Sequence, residues 1–303
     1  MELSYTRSFT ITNITIHPIE RVISALDELI DDNPELEKAV DFYEELLPLL
    51  YAARPTLDGL TLNIEAAQAK LREGVPLLWG EFRTADTLAV EPDLELFMTL
   101  CRLATEGGNQ AGEILMRAVL DGELNLKAAL SHTLTLDRAG LTTLARSLNV
   151  DLDLLEATTR YVLSPITWAY AGAFDQALDF GHWQRGYCPV CGDWPVLGEL
   201  RGRDRLRYLR CGRCGLGWKF KRLQCVWCDN TNKKELSFLF DPDQPTWRVE
   251  ICDYCRGYVK TIITFDPLEA DMLPVYDLKT MLMDQMAVNE GYKRPFKQPL
   301  TAS

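Results

Sequence analysis

Apolar residues recur at three- and four-residue intervals through much of the first 180 residues, the spacing of amphipathic helices. Ile19 to Ile30 and Leu36 to Tyr51 show it first. Asn33-Pro34 between them reads as an N-cap followed by proline at the first helical position. Arg54-Pro55 marks a stop after the second helix. Asn63 to Arg72, Pro92 to Thr105, Ala111 to Leu120 and Arg138 to Leu148 continue the series, punctuated by Gly74, Pro76 and Gly107-Gly108. Asp151 to Phe174 predicts a longer, more buried helix, kinked or interrupted at Pro165 because proline cannot donate to the helix ladder. Phe9 to Ile16 is the one strand-like segment in this half, and no repeat of solenoid period stands out.

The pattern changes near Gly181. Residues 181–187 read as a connector, and short runs with β character follow. Trp194 to Leu200 and Arg205 to Arg210 flank Gly202, a hairpin signal. Glu235 to Phe240 and Thr246 to Ile251 flank the turn-rich Asp241-Pro242-Asp243-Gln244-Pro245. Tyr258 to Phe265 adds one more strand. Tyr276 to Glu290 returns to helical spacing, with Leu278, Met281, Leu282, Gln285 and Met286 in register. Its methionines read as a stripe that docks on the chain's own core rather than on a partner.

With 303 residues, 47% of them apolar, the chain is long enough for two domains and a sizeable core. The start shows no secretory signal, and the most apolar stretch, Tyr161 to Phe174, is too short to span a bilayer. A cytoplasmic address follows, where clustered cysteines argue for metal or redox chemistry over disulfides. The net charge is −12, divided as −15 over residues 1–186 and +3 over 187–303. Such a balance opposes non-specific nucleic-acid or anionic-membrane binding.

Eight of the nine cysteines form four C-x-x-C pairs between Cys188 and Cys255. Two intervening residues allow a tight turn to present both sulfurs to one ion, with backbone N–H groups bonding the thiolates. Glycine after the second cysteine eases that turn, as at Gly192 and Gly215. Asp229 and Arg256 stand there in the other two pairs and predict looser knuckles. Each hairpin brings one pair back to the next, so sequential sharing is preferred over a crossed arrangement. Cys188, Cys191, Cys211 and Cys214 then form site 1, and Cys225, Cys228, Cys252 and Cys255 form site 2. Four soft thiolates suit iron or zinc, and a full shell leaves no vacancy for catalysis. Cys101, on an apolar helix face with Leu94, Phe97 and Met98, reads as inert core.

No phosphate loop, dinucleotide fingerprint or nucleophile elbow is present, and His17, His132 and His182 form no H-x-x-x-H pair. Between Arg201 and Arg222 nine basic residues face Asp204 alone, with Tyr208, Trp218 and Phe220 interleaved. This stretch could offset thiolate charge, receive an acidic protein surface or bind nucleic acid. A zinc-ribbon nucleic-acid-binding protein and, behind it, a thiol redox protein are therefore the rival readings.

The cysteine-rich half also resembles a known family, the formate dehydrogenase accessory protein FdhE. The resemblance rests on Cys188-Pro189-Val190-Cys191-Gly192 with Pro195, on the run from Arg207 to Cys228, on Cys252 to Lys260, and on the tail from Tyr276 to Tyr292. In the helical half Gly74-Val75-Pro76-Leu77-Leu78 is the best local echo. The resemblance implies an all-α N-terminal domain followed by two tandem rubredoxin-like metal modules and a C-terminal helix. The corresponding divisions are residues 1–180, 181–222, 223–270 and 271–303. It implies a non-catalytic role: binding the formate dehydrogenase catalytic subunit in the cytoplasm during assembly, with two metal ions, iron or zinc. Arg203, Arg205 and Arg207 on the first hairpin, with His182 and Trp183 at the domain junction, are the candidate client contacts. No membrane insertion is expected.

Overall fold

The computed structural model of this chain describes residues 8–10, 18–57, 61–79 and 90–294. A helical half leads. Helices α1 (Ile19–Asp32), α2 (Glu37–Ala52), α3 (Ile64–Arg72), α4 (Val90–Glu106), α5 (Ala111–Leu120), α6 (Leu126–Leu134), α7 (Arg138–Leu148) and α8 (Leu152–Ala177) follow in order. A short antiparallel pair, β1 (Ser8–Thr10) with β2 (Thr61–Asn63), joins the two ends of the α1–α2 segment. The rest of the expected Phe9 to Ile16 strand lies outside the described residues, as does His17.

Local chemistry sets several boundaries. Asn63, Asn125 and Asp137 accept from the main-chain N–H three residues on, capping α3, α6 and α7. Asn33 behaves otherwise. Its side chain donates back to the Leu29 carbonyl at 3.1 Å, closing α1. Pro34 then opens a 3-10 turn, Pro34–Leu36, before α2 begins. Helix α8 runs through Pro165 as a single 26-residue element. It is the spine of the half, burying Leu155, Val162, Leu163 and Phe174 among the surrounding helices. Cys101 is buried on α4, and burial pushes its thiol up to about 12, as fits an inert core position.

The second half is one six-stranded sheet. Strands β3 (Pro195–Arg201), β4 (Leu206–Cys211), β5 (Gly217–Lys219), β6 (Leu236–Phe240), β7 (Trp247–Cys252) and β8 (Gly257–Thr264) lie in the order β5-β4-β3-β8-β7-β6. Neighbours are antiparallel except at the centre, where β3 and β8 pair in parallel from Leu197↔Lys260 to Arg201↔Thr264. The two cysteine units, each a knuckle, a hairpin, a second knuckle and a third strand, are thus fused edge to edge. The third strand spans three residues in the first unit and eight in the second. That extra length is what reaches β3.

The tail closes the molecule. The expected single helix from Tyr276 to Glu290 is two, α9 (Leu273–Lys279) and α10 (Met281–Asn289). Buried Thr280 separates them, its hydroxyl donating to the Tyr276 carbonyl at 2.7 Å. Met283 and Ala287 pack on Trp247, Val249 and Ile251 of the sheet, while Val275 joins the Val22–Leu26 face of α1. Fully buried Lys260 anchors the tail by ion pairs of 2.6 Å to both Asp277 and Asp284. A buried ammonium without such partners would be strongly disfavoured, so the pairing fixes the tail's register. Among the described residues no helix is long and apolar enough to cross a membrane.

Candidate metal centres

All four knuckles fold alike. The first cysteine of three of them donates its main-chain N–H to the carbonyl five residues on: Cys188 to Asp193, Cys211 to Leu216 and Cys225 to Asn230, at 2.8 to 2.9 Å. In the fourth, Cys252 pairs with Gly257, again five residues on. The residue after each second cysteine is left-handed, with φ of 79° at Gly192, 73° at Gly215, 59° at Asp229 and 57° at Arg256. The looser geometry expected of the last two knuckles is therefore absent. Asp229 and Arg256 accept a conformation costing about 1–2 kcal/mol for a residue with a Cβ, and their side chains are tied down. Asp229 accepts from Gln224 at 2.7 Å, while Arg256 stacks 3.8 Å over the Tyr292 ring and donates to the Glu290 carbonyl.

These turns gather the sulfurs into two sets, Cys188/Cys191/Cys211/Cys214 and Cys225/Cys228/Cys252/Cys255. Within each set all four Sγ atoms lie within 4.8 Å of one another, so each could hold a metal ion. Cys188 and Cys214 are 3.5 Å apart and Cys191 and Cys211 3.4 Å; in the second set Cys225 and Cys255 are 3.6 Å apart and Cys228 and Cys252 3.9 Å. A tetrahedron with metal–sulfur bonds of about 2.3 Å has edges of about 3.8 Å. The sequential sharing of pairs is thus the arrangement that forms.

Electrostatics point the same way. Burial pushes the Cys188 and Cys214 thiols up. At Cys211 burial also acts upward, but hydrogen bonds from Cys188, Cys191 and Cys214 hold the thiol down. Four adjacent buried sulfurs cannot all be anionic unless a cation sits among them. Main-chain N–H groups already aim at them: Val190 at Cys188 Sγ, and Arg213 and Cys214 at Cys211 Sγ, each at 3.4 Å. Either an iron or a zinc ion fits this donor set.

The first set sits in the seam between the two halves. Leu77 and Leu78 donate their main-chain N–H to Pro189 and Val190 at 2.8 Å, and Trp79 Nε1 donates to the Cys191 carbonyl at 3.2 Å. A Cβ at Gly192 would lie 2.8 Å from the Trp79 ring, so glycine is required there for space as well as for φ. Arg160 of α8 pairs with Asp193 at 2.5 Å. Burial works against the Arg160 charge, but Asp193, with Cys211 and Cys191 beyond it, holds the guanidinium protonated. Arg213 lies in the same seam, its guanidinium on the Leu134 and Thr133 carbonyls at the end of α6.

Comparison with known proteins bears on this arrangement. The family described as "FdhE, central domain" matches residues 187–222, the first cysteine unit. The chain is similar to "Protein FdhE homolog" of Aquifex aeolicus (strain VF5), with 23% identity over 286 residues, 90% of this chain and 92% of the relative. The chain is therefore similar to FdhE proteins along most of its length, and its first cysteine unit matches their central domain. Its similarity to "Protein FdhE" of Escherichia coli O127:H6 is higher but shorter, 36% over 119 residues, 38% of each chain. The fold matches the crystal structure of the FdhE protein from Pseudomonas aeruginosa, with a TM-score of 0.59, 21% identity and coverage of 92% of this chain and 94% of that one.

The other expected residues separate in space. Arg203 stays exposed and Arg205 half-exposed at the turn between β3 and β4. Arg207 does not belong to that exposed turn. Its side chain is 3% exposed and bonded to Glu250 at 2.6 Å and the Gln224 carbonyl at 2.7 Å, clamping the first unit to the second. His182 is exposed and Trp183 buried, its Nε1 on the Tyr187 carbonyl. Both border a cavity of about 690 Å³ that also takes in Gln68, Arg72 and Arg185. Sequence spacing gave no signal for Trp79, Arg160, Asp193 or Glu250, because each acts across a long-range contact.

Proposed function

We propose that this chain is an accessory protein that binds the catalytic subunit of formate dehydrogenase in the cytoplasm while that enzyme is assembled, and that it is not itself a catalyst. Its eight paired cysteines hold two metal ions, iron or zinc. Cys188, Cys191, Cys211 and Cys214 hold one, and Cys225, Cys228, Cys252 and Cys255 the other. Each ion locks two knuckles and the hairpin between them into one unit.

One observation carries the reading: both candidate centres are closed sets of four sulfurs at tetrahedral spacing, with main-chain donors on Cys188 and Cys211 of the first. A shell of four protein ligands keeps no position for a substrate or an activated water. Site 1 also lies where α8, the Leu77–Trp79 segment and the sheet meet, which suits a part that sets architecture. The resemblance to the formate dehydrogenase accessory protein FdhE, supported by the similarity to FdhE proteins, supplies the client.

The test is co-purification under anaerobic conditions of the tagged chain with the formate dehydrogenase catalytic subunit. A stable complex is expected; repeated failure to associate, with two metal ions per chain confirmed, contradicts the client assignment. Burial of Arg207, Arg210 and Arg213 narrows the basic surface available to the rival nucleic-acid reading to the other six basic residues of that stretch.

A further inference from the structure

The sheet ends on β6, flanked by Glu235 and Asp241-Pro242 but apolar apart from Ser237 along its own length. Leu236-Ser237-Phe238-Leu239-Phe240 holds neither charge nor proline, the devices by which edge strands normally discourage further pairing. The pairing phase is fixed. Asp253 donates its N–H to the Glu235 carbonyl at 2.9 Å, and Ile263 donates to Thr246 at 2.7 Å. With Ser237 opposite Ile251 and Arg248 opposite Thr261, main-chain groups of Ser237 and Leu239 turn toward β7. Those of Leu236, Phe238 and Phe240 therefore turn to the open edge.

The surface beside that edge is aromatic and basic. Phe238 is 50% and Phe240 56% exposed, with ring centroids 6.0 Å apart, and the Arg248 guanidinium lies 4.8 Å over Phe238. A groove of about 370 Å³ runs between β6 and the 222–226 segment, whose Leu223 is 52% exposed. Arg207, Arg222 and Arg248 line it together with one carboxylate, Glu250, and the site 2 residues Cys225 and Cys252. Both Glu250 oxygens are already engaged, by Arg207 at 2.6 Å and Arg248 at 2.5 Å. The buried Nε atoms of Arg207 and Arg248 have no hydrogen-bond partner among the described residues. Arg222 makes no ion pair among the described residues, so one guanidinium stands free beside an edge ready to pair.

The geometry points to β6 and this groove as the docking site for an extended segment of the client, which adds a seventh strand and sets a carboxylate against Arg222 and Arg248. The assignment rests on the reading that the protein binds a client. Main-chain bonds to Leu236, Phe238 and Phe240 supply affinity, the phenylalanine rings take an apolar side chain, and the guanidinium groups select the acid. A second copy fits less well. Its own strand, 236–240, holds no carboxylate, and of the two acids that flank it Glu235 is already bonded to Asn230 at 2.7 Å.

Hydrogen exchange read by mass spectrometry tests this on the full chain, alone and mixed with the formate dehydrogenase catalytic subunit. The expected result is at least tenfold slower exchange across 236–240 in the mixture. Phe240→Lys and Arg222→Glu, at exposed positions where folding is not at stake, each weaken the complex at least tenfold. Arg117→Glu on α5, the same charge change far from the groove, leaves it unaltered. If the subunit binds while exchange and both affinities stay unchanged, the docking site is overturned and the client reading stands. If the subunit does not bind at all, the client reading falls and the docking site with it. Protection of 236–240 that grows with the chain's own concentration, without the subunit, assigns the edge to a second copy and overturns the proposal.

Discussion

The two cysteine sets share a backbone plan and differ in their surroundings. All four cysteines of the first are between 0% and 3% exposed; in the second, Cys228 and Cys255 reach partial exposure. The first is enclosed by helix α8, Trp79, buried Arg213 and half-buried Arg160. The second is bounded by its own turn, by the tail and by Trp194 of the first unit, whose ring lies 4.9 Å from that of Trp227, with Asn230 donating to Cys252 Sγ at 3.8 Å and Arg256 donating to the Glu290 carbonyl. The same turn chemistry therefore serves two purposes. Site 1 joins the halves of the molecule, and site 2 holds together the outer unit that carries the β6 edge.

The sharpest way to break that comparison is to remove one sulfur from each set. Cys191→Ser is expected to disrupt the seam as well as its own unit, because structural four-cysteine sites supply on the order of 10 kcal/mol in small modules. The helical half then loses its cooperative coupling to the sheet, seen as separate unfolding transitions in urea. Cys255→Ser should leave the helical transition near that of the parent and loosen only the outer unit. Equal effects from the two substitutions would mean that the sites are not functionally distinct.

A second contrast concerns the knuckles. Gly192→Ala adds a Cβ 2.8 Å from the Trp79 ring at a φ of 79°. A cost of about 2–4 kcal/mol follows from left-handed strain and overpacking together. Asp229→Gly relieves the strain at an equivalent position but loses the bond from Gln224, so its net change should stay within about 1 kcal/mol. Urea denaturation of both variants checks the pair. A harmless Gly192→Ala would show that the seam yields where site 1 is argued to be rigid.

The smallest expected effect lies away from both sites and serves as the reference. The Asp137 carboxyl is held below its ordinary range, chiefly by the Gly140 N–H at the start of α7, with His132 adding to it. A carboxylate depressed by folding contributes stability above its unfolded pKa and loses it as pH falls through the folded value. Asp137→Ala should therefore cost about 1 kcal/mol at neutral pH. The difference from the parent should shrink below about pH 4, the unfolded carboxylate range. Thermal unfolding across pH reads it, and a cost that persists at low pH would remove the capping charge as its cause.

Much of this architecture was legible in the chain. Periodicity gave most of the helices, and the hairpin between each two C-x-x-C pairs gave the grouping of sulfurs. Short α6, whose buried face mixes leucine with Ala129 and Thr133, was too weak a pattern to stand out. Residue type misled at Asp229 and Arg256, where the demand of the knuckle overrides a side chain's usual avoidance of positive φ. Arg203, Arg205 and Arg207 look equivalent in sequence. They separate because the turn ends at Arg205, with φ of 50°, and Arg207 enters β4 facing Glu250. The parallel β3–β8 contact had no local signature, since it depends on register between strands some sixty residues apart.

Metal release from the anaerobically purified full chain tests the central claim most directly. Elemental analysis should find two iron or zinc ions per chain. A chromophoric chelator should draw them off in two phases, the site 2 ion at least tenfold faster, with Cys255→Ser abolishing the fast phase alone. Fewer than two ions, or release of both at one rate, would contradict the account.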